Sequence, residues 1–248
     1  MVSTSNGPVR IAHGFGNGRR RLSRALIGPV DLIETDVRFQ DGKMVVRHER
    51  KLGSLPVLID EKASLHIKSE HRCRLHLWRW YIALERNPLA LEEVLAKAKD
   101  RRGLLLDLKG EYGDREEALA QALAEMLERM GMGEQVTVCG QNWLLLGHLR
   151  AAAPHLRVYY SIETADQLED FQAMLEHDPI HGICLSQSLV EEPLIERLKG
   201  LGMTIYTWTV DDLWRAHELL ELGIDGIISN SLEMLGLLGA SPRRQGQA

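Results

Sequence analysis

No apolar run in the 248 residues approaches the ~18 that a membrane-spanning helix needs. The opening segment Met1–Gly7 is polar and has no apolar secretory core. Cysteine is scarce. Cys73, Cys139 and Cys184 are widely spaced and odd in number, which gives neither a disulfide framework nor zinc-ligand spacing. The expectation is a reducing, cytoplasmic setting. Positive charge is not in excess: the net charge is −5, which argues against nucleic-acid backbone as the main partner. There is no internal repeat and no low-complexity tract. No glycine-rich, phosphate-cradling loop follows a predicted strand.

What remains is a chain able to build a large core, with 44% hydrophobic and 26% charged residues. Short runs rich in Val, Ile and Leu predict strands near Val9–Ala12, Asp31–Val37, Leu104–Leu108, Gln135–Val138, Arg157–Tyr160, Gly182–Leu185, Thr204–Thr207 and Gly226–Ile228. Asp41-Gly42 predicts a tight turn into a short hairpin strand, Lys43–Arg47. Helical periodicity falls between the strands, as in Leu89–Lys99, Arg115–Met130 and Asp211–Leu222. Eight strands with intervening helices predict an α/β fold, a (β/α)8 TIM barrel, in one domain over residues 1–240. A doubly wound open sheet is the alternative. Residues 241–248 read as a disordered tail. The stretch Lys62–Arg86 breaks the rhythm and reads as an irregular insertion. Its histidines, arginines, Trp78, Trp80 and Tyr81 suit either a helical cover on the barrel rim or a surface resting on lipid.

Chemistry concentrates in Ile33-Glu34-Thr35-Asp36-Val37. Strand alternation sends Glu34 and Asp36 to one side, and two adjacent carboxylates repel unless a cation joins them. In a barrel, reactive groups gather at the C-terminal strand ends. His13 ends the first predicted strand, His48 the hairpin, Asp107 and Lys109 the third strand and Trp208 the seventh; Asn230 follows the eighth. Glu34, Asp36 and Asp107 are candidate ligands for one hard cation, Mg²⁺ or Ca²⁺. Lys109 adds a point charge for a phosphate. Two histidines supply a proton acceptor and a proton donor.

Ala12-His13-Gly14, Ile33–Val37 and Asp41–His48 resemble the opening of the glycerophosphodiester phosphodiesterase family, within the PLC-like phosphodiesterase superfamily. Asn87–Leu95, Tyr206–Val210 and Gly223–Asn230 are similar to its later segments. The resemblance implies a (β/α)8 barrel, His13 and His48 as acid and base, and Glu34, Asp36 and Asp107 as metal ligands. Three departures stand out. Gly14 replaces the usual arginine, and Gly16-Asn17-Gly18-Arg19-Arg20-Arg21 replaces a Pro-Glu-Asn-Thr run. A phosphate contact there is either lost or moved to one of those arginines. Asp107, in Leu106–Gly110, stands where the family has Glu, and this run together with Ser229-Asn230 resembles the sphingomyelinase D branch. The cysteine pair of that branch's secreted toxins is missing.

The expected activity is metal-dependent hydrolysis of glycerophosphodiesters to an alcohol and glycerol 3-phosphate. Lys109, Trp208 and Asn230 are the candidate substrate-binding residues. One alternative is a phosphodiesterase acting on lysophospholipids or sphingolipids and forming a cyclic phosphate, with peripheral membrane contact through residues 62–86. The other is a non-catalytic headgroup-binding protein, which would have no need of both histidines.

Overall fold

The computed structural model describes residues 7–53, 55–61, 74–84, 87–175 and 180–238. The chain begins with β1 (Val9–Ala12), α1 (Arg19–Ile27) and β2 (Leu32–Gln40). A hairpin strand, β3 (Lys43–Val46), runs back along β2. Asp41 and Gly42 form its turn with φ of 51° and 71°, the doubly positive pattern that matches strand twist. An insertion follows, with β4 (Arg50–Lys51), β5 (Val57–Glu61), β6 (Arg74–Leu77) and β7 (Trp80–Leu84), before β8 (Leu89–Ala90) pairs with β3. Strand and helix then alternate: α2 (Leu91–Ala98), β9 (Gly103–Leu108), α3 (Glu116–Met130), β10 (Val136–Gly140), α4 (Trp143–Ala152), β11 (Arg157–Ile162), α5 (Ala165–Met174), β12 (Gly182–Ser186), α6 (Glu192–Gly200), β13 (Thr204–Trp208), α7 (Leu213–Glu221), β14 (Gly226–Ser229) and α8 (Leu232–Leu237).

The strands β1, β2 and β9 to β14 are parallel, and β1 pairs with both β2 and β14, which closes the barrel. An open sheet is therefore excluded. Side-chain alternation divides the core in two. Ile11, Leu32, Leu105, Cys139, Tyr159, Cys184 and Tyr206 fill the interior. Ile33, Val37, Leu104, Leu106 and Val138 pack outward against the helices. Side-chain oxygens of Asn142, Thr164, Asp212 and Ser231 cap α4, α5, α7 and α8. Among the described residues no helix is long and apolar enough to cross a membrane.

The insertion differs from the expectation where it is described. Residues 74–84 are neither irregular nor helical. They form β6 and β7 of a four-stranded antiparallel sheet, in the order β4-β5-β7-β6. Period-two alternation explains this, since Leu58, Tyr81 and Ala83 share one face as a small buried cluster. Residues 62–73, 85, 86 and the tail 241–248 lie outside the described residues, as does Cys73. Cys139 and Cys184 are free thiols.

At the far end of the barrel Arg10 and Asp31 tie β1 to the start of β2. Asp31 accepts from the Arg10 backbone N–H at 2.9 Å and from its guanidinium at 3.0 and 2.9 Å. Burial raises the Asp31 pKa, but those bonds more than offset it, so the carboxyl lies below its ordinary value. A depressed carboxylate contributes stability that is present above its unfolded pKa and lost as pH falls through the folded one. Asp31→Ala is expected to cost about 1–2 kcal/mol at neutral pH, discounted for partial exposure. The difference from the parent should shrink on acidification, and urea melts at pH 7 and pH 3 check it.

Candidate active site

The parallel register of β2 and β9 sets Asp36 directly beside Asp107. Alternation brings Glu34, two residues back, to the same interior side. Carboxylate oxygens of Glu34, Asp36 and Asp107 lie within 4.8 Å of one another. Glu34 and Asp36 are buried, and Asp107 is nearly so. Each is held differently. Glu34 Oε2 accepts from the Gly14 backbone N–H, where the chain after β1 turns back with a Gly14 φ of 62°. Asn17 grips Asp36 twice: its amide donates to Oδ2 at 2.5 Å and its carbonyl oxygen accepts from the Asp36 N–H at 2.9 Å. The turn carrying Asn17 packs so tightly on β2 that a Cβ at Gly16 would overlap Thr35 Oγ1. Lys109 donates to Asp107 Oδ2 at 2.5 Å and lies 3.3 Å from Asp36 Oδ1.

The carboxylates do not share their environment equally. Burial, followed by the charges of Asp36 and Asp107, pushes the Glu34 carboxyl well above its usual value. Burial also raises Asp107. Asp36 goes the other way. Burial opposes its ionisation, but Lys109, His48 and the Asn17 amide hold it at about 2. Burial would lower the Lys109 pKa, and Asp107 and Asp36 outweigh it and raise it. Glu34 Oε1 and Asp107 Oδ1 are buried without a hydrogen-bond partner. An oxygen-only donor set with two such atoms fits a hard divalent cation.

His13 and His48 line one cavity of about 700 Å³ at the barrel mouth, together with Glu34, Asp107, Lys109 and Trp208. His13 Nδ1 lies 3.3 Å from Thr209 Oγ1. His48 is fixed at two points. Arg38 donates to its carbonyl at 3.0 and 2.8 Å, and its Nδ1 pairs with Asp60 of the insertion sheet. Burial lowers the His48 pKa, but Asp36 and Asp60 overcome that and leave it above the usual imidazole value.

The structure thus gathers His13, His48, Glu34, Asp36, Asp107, Lys109 and Trp208. The Trp208 indole donates to the Cys184 carbonyl at 3.1 Å, leaving its ring against the cavity. Asn230 is placed differently. Its backbone N–H and side-chain amide both donate to Asp211, at 2.7 and 2.9 Å, so it braces the β14 loop and does not line the cavity. The arginines after Gly18 also lie elsewhere. Arg19 pairs with Glu93 at 2.7 Å, and Arg21 donates to the His13 carbonyl at 3.0 Å. Among the described residues, the arginines on the cavity wall are Arg38 and Arg50. Asn17, Arg38 and Asp60 were not among the expected residues. Arg38 carried a signal, because it continues the Glu34-x-Asp36 alternation.

The family model described as "Glycerophosphoryl diester phosphodiesterase family" matches residues 20–234. The chain is 26% identical over 239 residues to glycerophosphodiester phosphodiesterase GDPD4 of Arabidopsis thaliana, covering 92% of this chain and 72% of that one. Among solved structures, an Oleispira antarctica phosphodiesterase in complex with the product sn-glycerol-3-phosphate superposes with a TM-score of 0.72 at 21% identity, over 95% and 98% of the two chains. A Parabacteroides distasonis glycerophosphodiester phosphodiesterase gives 0.68 at 23% identity, over 93% and 96%. These two structures share the barrel fold with this chain. With the family pattern matched from α1 to α8 and an acidic cluster at the barrel mouth, the chain belongs to the glycerophosphoryl diester phosphodiesterase family and is a phosphodiesterase.

Proposed function

We propose that this enzyme hydrolyses glycerophosphodiesters to an alcohol and glycerol 3-phosphate, with His13 and His48 as the proton-transfer pair and a divalent cation held by Glu34, Asp36 and Asp107. The observation that carries it is three clustered carboxylates, of which Glu34 and Asp107 have unpartnered buried oxygens and line the same cavity as the two histidines. A bound cation would supply charge neutralisation at the phosphate. Lys109, Arg38 and Arg50 bring further positive charge to a phosphodiester in the cavity. Trp208 offers an apolar wall to the glycerol or alcohol moiety. One histidine takes the proton of the attacking water as its oxygen bonds to phosphorus. The other protonates the departing alkoxide as the phosphorus–oxygen bond breaks. Asp60 holds the His48 Nδ1 side, which keeps Nε2 available for that exchange.

Mg²⁺ and Ca²⁺ both suit the donor set, and a role in lipid turnover follows if the diesters come from phospholipid breakdown. Lysophospholipids carry the same phosphodiester and are a second substrate class, with the insertion sheet as the part that meets lipid. A cyclic phosphate would arise if a substrate hydroxyl attacked in place of water. Phosphorus NMR on glycerophosphocholine, with Mg²⁺ and then Ca²⁺, tests the proposal. It predicts glycerol 3-phosphate as the end product. Phosphocholine as product, or no cation dependence, would refute it.

Asp60→Asn checks the His48 arrangement. Turnover is expected to fall by about 10²-fold with KM little changed. Because Asp60 raises the His48 pKa, the limb of the pH–rate profile that belongs to His48 should move to lower pH. A profile superimposable on that of the parent would remove Asp60 from the mechanism.

A further inference from the structure

A second cavity, of about 590 Å³, adjoins the catalytic one. It lies between the end of β2, the short strand β4 and the loop after β9. Arg38, Arg50, Gly110 and Glu111 line both cavities, so the two share a wall. None of Glu34, Asp36 and Asp107 lines the second one, nor does either histidine. Nothing in the proton transfers or in cation binding calls for this space.

Its wall is cationic. Among the described residues it carries Arg38, Arg50 and Lys51 against a single acid, Glu111. Like charges gathered around one space repel unless an anion enters it. Both arginines have donors to spare. Arg38 uses Nε and Nη2 on the His48 carbonyl. Its Nη1 has no hydrogen-bond partner among the described residues. That nitrogen lies beside Gly110, where an added Cβ would stand 3.5 Å from it and 3.0 Å from Tyr112 Oη. The Gly110 φ of 103° also suits glycine alone, so the space beside the guanidinium stays open. Arg50 has neither an ion pair nor a hydrogen bond among the described residues, and the Trp80 ring lies 6.0 Å away. Lys51 pairs with Asp41 at 3.0 Å, but the Asp41 side chain is 69% exposed and off the cavity wall. Guanidinium groups with unspent N–H donors suit a phosphate, which accepts at several oxygens.

We propose that the second cavity is a subsite for a phosphate carried on the alcohol part of the substrate, held by Arg38, Arg50 and Lys51 while the diester phosphate is cleaved in the first. The assignment rests on the phosphodiesterase reading above and names the substrate class it favours: diesters bearing a second, non-reacting phosphate. Arg38 follows Asp36 by two residues on β2, about 7 Å along the strand. A ring-sized alcohol bridges such a separation. The second phosphate is remote from the bond that breaks and is bound alike before and during the reaction, so it lowers KM and leaves kcat nearly unchanged.

The test compares glycerophosphoinositol with glycerophosphoinositol 4-phosphate, by release of glycerol 3-phosphate in the presence of the same divalent cation. The parent enzyme is expected to favour the phosphorylated substrate by about tenfold in kcat/KM, chiefly through KM. That preference should shrink as salt is raised. Lys51→Gln should cut it about threefold and leave glycerophosphoinositol turnover unchanged, whereas Glu111→Gln should increase it. Arg50→Gln should slow both substrates, the phosphorylated one more. Equal kcat/KM for the two substrates in the parent overturns the subsite and leaves the phosphodiesterase reading standing. A preference undiminished in both Lys51→Gln and Arg50→Gln also overturns it. So does inorganic phosphate that changes glycerophosphoinositol turnover in the parent but not in Lys51→Gln, since the cavity then takes a free anion. Failure to cleave either of these substrates or glycerophosphocholine overturns the phosphodiesterase reading itself, and the subsite with it.

Discussion

His13→Ala is expected to lower glycerophosphodiester turnover by about 10²–10⁴, and His48→Ala by a similar amount. Neither change should unfold the protein. Both side chains face the cavity, and neither belongs to the apolar layers that hold the barrel together. His48→Ala frees Asp60 from its partner, yet the Arg38 contacts to residue 48 go to its backbone carbonyl and survive. The loss should therefore appear in kcat, with melting temperature and cation affinity close to the parent's. The double variant should be little worse than either single, because residues acting in one proton relay are not additive. Parental turnover in either single variant would remove that histidine from the reaction.

Asp36→Asn is expected to weaken divalent-cation binding by about 10²-fold or more, measured by calorimetry, and turnover should fall with it. Asp36 is the ligand best prepared to be anionic. It is held at about 2 against the cost of its burial, while Glu34 and Asp107 are both pushed upward. An amide at residue 36 also removes one of the two carboxylates that flank Lys109. Glu34→Gln separates binding from folding. Its carboxylate sits unfavourably among buried like charges, so in chelator the variant should melt no lower than the parent. It should lose the rise in melting temperature that saturating cation gives the parent. Equal cation affinity in parent and Asp36→Asn would contradict the metal assignment.

The barrel was legible because its strands are short runs rich in Val, Ile and Leu separated by helix-period segments, and each predicted strand lies within a few residues of the observed one. The strand β2 runs on to Gln40 because the Asp41-Gly42 hairpin extends its pairing, an effect that a local reading of Ile33–Val37 does not contain. The acid pair and its partner Asp107 were legible for a simple reason: alternation fixes which side of a strand each carboxylate takes. The insertion sheet was not. Its strands are brief, its central pairing joins β5 to β7 across an intervening strand, and Asp60 is hidden in an ordinary Val-Leu-Ile-Asp-Glu run. Asn17 was equally silent. It reaches Asp36 only because the turn at Gly16 lies against Thr35, a tertiary contact between residues about twenty positions apart. Asn230 is the converse case: its place after the last strand suggested a substrate contact, whereas its backbone N–H and side-chain amide both donate to Asp211.

Glycerophosphocholine turnover by chelator-treated enzyme, followed before and after Mg²⁺ or Ca²⁺ is restored, is the most direct test of the carboxylate–histidine site. The expected result is negligible release of glycerol 3-phosphate without cation and full recovery on its return, with no recovery in Asp36→Asn. Undiminished turnover in chelator, or cation-restored turnover in Asp36→Asn equal to the parent's, would contradict it.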